Sequence, residues 1–176
     1  MSALEETTTW LEKAVIGLNL CPFAKAVHSK GQIRWVLSDA TEPTALLELL
    51  VHELQHLAAA DPESVDTTLI VHPQVMQDFM DFNDFLGVAE AALAELNMDG
   101  VLQIASFHPQ FQFAGTDIDD ITNATNRSPY PTLHLLREDS VERAVAAFPA
   151  AEDIFERNIN TLQRLGPEGW TQLMSR

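Results

Sequence analysis

Basic residues are scarce. The chain carries 10 Lys and Arg against 26 Asp and Glu, a formal net charge of −16 over 176 residues. None of the 10 lies between Arg34 and Arg127, and that stretch holds 16 acids, from Asp39 to Asp120. Binding to a phosphate backbone needs clustered Lys and Arg, so the pattern argues against nucleic acid as a partner. An anionic membrane surface is equally unsuited. Cysteine occurs once, at Cys21, so no internal disulfide can form. No apolar run approaches the roughly 20 residues that a membrane-spanning helix needs. The opening segment MSALEETTTW is acidic where a secretory signal would be basic and then apolar. These scarcities predict a cytoplasmic protein.

Apolar residues make up 46% of the chain, enough for one globular core, so a single domain over residues 1–176 is expected. Helical periodicity marks residues 7–20, with Trp10, Leu11, Ala14, Val15 and Leu18 on one stripe. A short second piece is expected at 22–29, with Cys21 at its N-cap and Gly31 beyond its end. Further helices are read at 44–60, 75–97, 140–148 and 151–165. The 44–60 stripe is Leu47, Leu50, Val51, Leu54 and Ala58. The 75–97 stripe is Phe79, Phe82, Leu86, Ala89, Leu93 and Leu96. Gly166-Pro167 breaks the chain before a last short helix around Trp170. Strands are read at 33–37, 67–71, 101–107 and 132–137. The fold expected is α/β: about four strands in a mostly parallel or mixed sheet, packed with helices, with extra helices at both termini. The last strand can run either way.

Two strands end alike, in Val71-His72-Pro73 and Phe107-His108-Pro109. Proline has no N–H to donate, so each ends its ladder. Both histidines then sit at the carboxyl ends of strands, where open α/β sheets bind ligands. Neighbouring strands would place them roughly 5–10 Å apart, given a strand spacing near 4.8 Å. They either cap the strand ends or do acid–base or metal-ligand chemistry. The polar stretch from His108 to Tyr130 is long enough to suggest function. An antiparallel return of the last strand would bring Arg127 to the histidine edge. There it either binds a carboxylate or phosphate of a small polar or anionic ligand, oriented by Asn126 and Ser128, or pairs with Asp117, Asp119 or Asp120. Either X-Pro bond at Pro129 or Pro131 is a candidate for cis geometry.

Cys21 is either a buried small side chain or a nucleophile paired with His72 or His108. His52-Glu53-Leu54-Gln55-His56 matches H-E-x-x-H, in which two histidines one turn apart bind zinc. No third ligand follows at the usual spacing, and the alternative is a solvated helix face. Asp84 reaches the histidine edge if its helix starts close to His72. His134 alternates with Leu133 and Leu135, so it faces the other side of the sheet, where a packed core histidine is expected.

The strings GLNLCPFA, LIVHP, FNDFLGVAEAALA, ASFHPQFQFAGT, TNRSPYPTLHLLRE and ERNINTL resemble the family called domain of unknown function 1415. The likeness spans about residues 10 to 172. It implies an uncharacterised, mostly bacterial protein of this size and implies no activity. Asn19, Cys21, His72, Asn83, Asp84, His108, Arg127, Ser128, His134 and Arg137 fall within these strings. Cys21, His72 and His108 are the catalytic candidates. Arg127, Asn126, Ser128, Asn19, Asp84 and Arg137 are the ligand-binding candidates. Metal-dependent hydrolysis, at His72 with His108 or at His52 and His56, is one alternative. A non-catalytic binding protein is the other. No cofactor and no oligomeric state can be read.

Overall fold

A computed structural model describes residues 1–148 and 150–175. Helix α1 (Ala3–Trp10) starts earlier than its apolar stripe suggests, because Ser2 and Glu5 form a reciprocal capping box. The chain continues as a π-helical stretch, Leu11–Ile16, and leaves it through Asn19 at φ 54°. Trp10, Leu11, Ala14 and Val15 are buried as expected. The N-cap position of helix α2 (Ala24–Ser29) falls on Phe23, which makes no side-chain cap bond, and not on Cys21 as expected. Gly31, at φ 67°, lies beyond its end.

Strand β1 (Ile33–Leu37) leads to α3 (Pro43–Ala59), with proline at the first turn, where its missing N–H costs nothing. The buried face of α3 is Leu46, Leu50, Glu53, Leu54 and Leu57. This corrects the expected stripe, because a charged residue, Glu53, belongs to the buried face. Strand β2 (Thr67–Val71) is buried along its whole length. Helix α4 (Phe79–Glu95) begins later than expected. Met76 lies at φ 64°, outside helical geometry, and Asp78 caps the helix by accepting from the Asp81 N–H. Phe82, Phe85, Ala89 and Leu93 form its buried face.

Strand β3 (Leu102–Phe107) is followed by the long loop, which contains a 3₁₀ turn at Ile121–Asn126. Strand β4 (Thr132–Arg137) runs directly into α5 (Glu138–Ala147). Helix α6 (Ile154–Ser175) is broken at Gly166, φ 71° and ψ 169°, followed by Pro167, as the sequence predicts. None of the peptide bonds among the described residues is cis.

The sheet is mixed, in the order β1-β2-β4-β3. β1 and β2 are parallel, and β4 is antiparallel to both β2 and β3. β2 and β3 are therefore not neighbours, because β4 inserts between them. The long loop gives β4 the reach to return, and Leu133 and Leu135 then enter the core beside Ile70 and Leu102. One face of the sheet is covered by α3 and α4. On the other, α1 and its π-helical extension pack with Ile33, Trp35 and Phe107, and Trp170 of α6 joins them. No helix is long and apolar enough to cross a membrane, among the described residues.

Candidate functional site

The carboxyl edge of the sheet holds His72 and His108 as expected, but with β4 between them. Thr132 at the start of β4 pairs with both Val71 and Phe107. The two rings meet across Phe82, with centroids 5.5 Å and 5.2 Å from it. Both histidines are fully buried. The Gln110 N–H donates to His108 Nδ1 (3.0 Å), so Nε2 carries the ring proton and donates to the Met76 carbonyl (2.9 Å). His72 Nδ1 lies 3.1 Å from the Val75 carbonyl and can bond it only as a donor. His72 Nε2 is left sealed and without a partner among the described residues. Burial lowers the His72 pKa to about 4 and lowers that of His108 as well. Two neutral rings thus hold consecutive carbonyls of the turn between β2 and α4. That geometry explains a turn with Met76 at positive φ and offers a substrate no entry. Asp84 is exposed on α4, and the carboxylate whose charge reaches His108 is that of Asp78.

The other candidates from the long loop are also committed to holding backbone. Arg127 Nε donates to the Phe111 carbonyl (2.9 Å) and Nη2 to that of Ile118 (2.6 Å). It forms no ion pair with Asp117, Asp119 or Asp120, so it ties the loop together through carbonyls. Asn126 Nδ2 donates to the Ser106 carbonyl (3.0 Å), and buried Ser128 donates to that of Tyr130 (2.6 Å). Asn123, which sequence reasoning missed, is fully buried. Its Oδ1 accepts from the Phe113 N–H (2.8 Å) and the Thr116 hydroxyl (3.0 Å). Only its place in an Asn- and Thr-rich run signalled it. Asn19 is exposed and serves the turn. Arg137 lies at the opposite end of the sheet from His72 and His108. Its Nη2 donates to the carbonyls of Ala60 (3.0 Å) and Val65 (2.8 Å).

In the H-E-x-x-H string the carboxylate is engaged elsewhere. His52 is exposed, while Glu53 is buried and bound bidentately by Arg34 at 2.8 Å and 3.1 Å. A general base in that motif must be free to take a proton from metal-bound water, and this carboxylate is not. No group of three or more His, Cys, Asp or Glu is placed to hold a metal, among the described residues.

The opposite sheet face contains something that sequence did not foresee. A cavity of about 510 Å³ lies between the sheet, the N-terminal helices and α5. Its walls are mainly apolar: Leu11, Val15, Leu69, Phe107, Val141 and others. The period of two along each strand puts Leu69 and Leu136 on this face, while Ile70 and Leu135 enter the core. Cys21 borders this cavity together with His134, not with His72 or His108. Trp10 packs edge-on to Phe107 (5.1 Å), whose ring is 6.0 Å from that of His134. The Thr67 hydroxyl lies 2.7 Å from His134 Nε2 and donates to the Leu135 carbonyl (2.6 Å). A second, more open cleft of about 700 Å³ runs past Glu6, Trp10, Arg127 and Trp170.

Burial sets the chemistry of Cys21 and of His134. It raises the Cys21 pKa, against smaller opposing effects of the Phe23 and Ala24 N–H groups. It lowers His134 to about 4. A Cys–His nucleophile needs thiolate beside imidazolium; here the shifts run the other way and leave a thiol and a neutral imidazole in the cavity wall. Cys21 should therefore alkylate slowly with iodoacetamide at pH 7, with a midpoint above that of a free thiol. A midpoint below it would restore the nucleophile reading.

Over residues 2–172 the chain matches the sequence profile of a family described as "Protein of unknown function (DUF1415)". The chain belongs to this family. No curated protein and no solved structure matches it. The DUF1415 match takes in the walls of the cavity as well as the two-histidine turn.

Proposed function

We propose that this protein is a cytoplasmic binding protein for a small, largely apolar molecule, held in the cavity between the sheet and the N-terminal helices. The observation that carries the reading is the cavity itself. Its apolar walls stand open to solvent on one side, and leaving that much apolar surface in water costs free energy that an apolar occupant would recover. Ligand sites fall in the range of about 300–1,000 Å³, with apolar walls and a few placed polar groups. Here those groups are Cys21 and His134, with Gln103, Asp66, Ser140 and Arg137 toward the end of the sheet where β4 finishes. The π-helical stretch beside the cavity supports the reading, since π segments concentrate at functional sites. A single cysteine suits a reducing compartment. The pKa shifts favour binding over nucleophilic catalysis.

Ala144 borders the cavity from α5, so Ala144→Phe directs a ring into open space. A thermal-shift screen of apolar metabolites should give hits on the wild type that disappear in Ala144→Phe, with the variant's own melting temperature unchanged or raised. Hits that survive the substitution would place the ligand elsewhere.

A further inference from the structure

We propose that the ligand of this cavity is an uncharged, largely apolar molecule of the alcohol or phenol class, whose hydroxyl donates a hydrogen bond to His134 Nδ1. The proposal rests on the cavity being a ligand site and names what that site selects.

The argument is a proton count. Thr67 has one hydroxyl proton, and it goes to the Leu135 carbonyl at 2.6 Å. The same oxygen can then only accept from His134 Nε2, 2.7 Å away. Nε2 therefore carries the ring proton, and Nδ1 presents a bare lone pair. Thr67 is itself buried, so this arrangement cannot be exchanged for one through water. Nδ1 has no partner among the described residues, yet it is not sealed as Nε2 of His72 is. The ring borders the cavity, so the lone pair is available to an occupant. His134 stays neutral at physiological pH, which keeps it an acceptor and not a donor.

An acceptor in apolar surroundings selects sharply. A donor satisfies it, an ether leaves it unpaired at a desolvation cost, and a carboxylate sets negative charge against a lone pair. At the cavity's end Asp66 accepts from Ser140 at 2.5 Å, and Arg137 binds the Ala60 and Val65 carbonyls through Nη2; its Nε, without a partner among the described residues, is sealed and offers an occupant nothing. The aromatic series Trp10, Phe107 and His134 offers edges and faces to a flat ring. A phenol-like ligand fits both features.

The test uses three probes with one apolar body: 2-naphthol, its methyl ether and 2-naphthoate. Calorimetric titration of the full chain should give 2-naphthol at least about fivefold tighter binding than the ether, the penalty for an unpaired buried acceptor. His134→Phe should bind both alike. Thr67→Val, which removes the group that fixes the tautomer, should shrink the preference. Equal affinity for naphthol and ether on the wild type, or tightest binding of the naphthoate, overturns the donor inference and leaves the cavity as a site. If none of the three binds the wild type, and no compound in the screen is lost on Ala144→Phe, the cavity reading itself falls.

Discussion

Arg34→Ala is expected to destabilise the fold by about 3–5 kcal/mol, the cost of leaving a buried charge without its partner. Glu53 is only 2% exposed, and both of its oxygens are bound by the Arg34 guanidinium. The guanidinium side is 37% exposed. The pair is therefore asymmetric. Removing arginine strands a carboxylate in the core beside Leu50, Leu54 and Leu57, whereas removing glutamate lets arginine reach water. Glu53→Gln should cost less than Arg34→Ala. The double change Arg34→Met with Glu53→Leu should recover much of the loss, because apolar pairs often replace buried ion pairs without penalty. Urea denaturation checks this through the midpoint at constant slope. Equal losses from the two single variants would refute the asymmetry. The result bears on the zincin-like string too, since it assigns Glu53 to holding edge strand β1 on α3.

Acid should destabilise the protein well before its exposed carboxylates titrate fully. Burial holds His72 at about 4 in the native state, against 6.5 for a free side chain. Between these values the unfolded chain binds a proton that the native chain refuses. The stability contribution is thus complete above pH 6.5 and is lost as pH falls toward 4. A shift of that size corresponds to roughly 3 kcal/mol for His72 alone. His134 is displaced by burial in the same direction to about 4, and His108 is lowered as well. Unfolding free energy measured from pH 7 to 4 should fall steeply for the wild type. His72→Phe, which loses the bond to the Val75 carbonyl, should start lower at pH 7 and show a flatter slope. An unchanged slope in that variant would show that His72 is not the group refusing the proton.

Much of the local structure was legible in the residues. Three of the four strands match their expected bounds, and the Gly166-Pro167 break lies where expected, because period and breaker chemistry act within a few residues. The start of α1 was legible too, in the Ser2-x-x-Glu5 box, but the apolar stripe drew attention further along. The start of α4 was not, since it follows a turn with Met76 at positive φ whose carbonyls are held by two histidines that lie far apart in the chain. The candidate site divides in the same way. The His-Pro strand ends marked a real convergence, but the residues that looked chemical there are consumed in holding turns. His134 looked like a packed core residue from its alternation, and nothing nearby in the chain shows that Cys21 lines the same cavity.

The scarcity of Lys and Arg across the middle of the chain and the alternation of strands and helices determined an acidic chain with an α/β fold. Only the tertiary structure decided that β4 enters between β2 and β3, that Arg34 is spent on Glu53 and Arg127 on carbonyls, and that an apolar cavity remains beside His134. Period and propensity are properties of neighbours in sequence and can be read along it. Strand order, charge pairing and unfilled volume depend on which distant segments meet, and a one-dimensional pattern holds no distance between them.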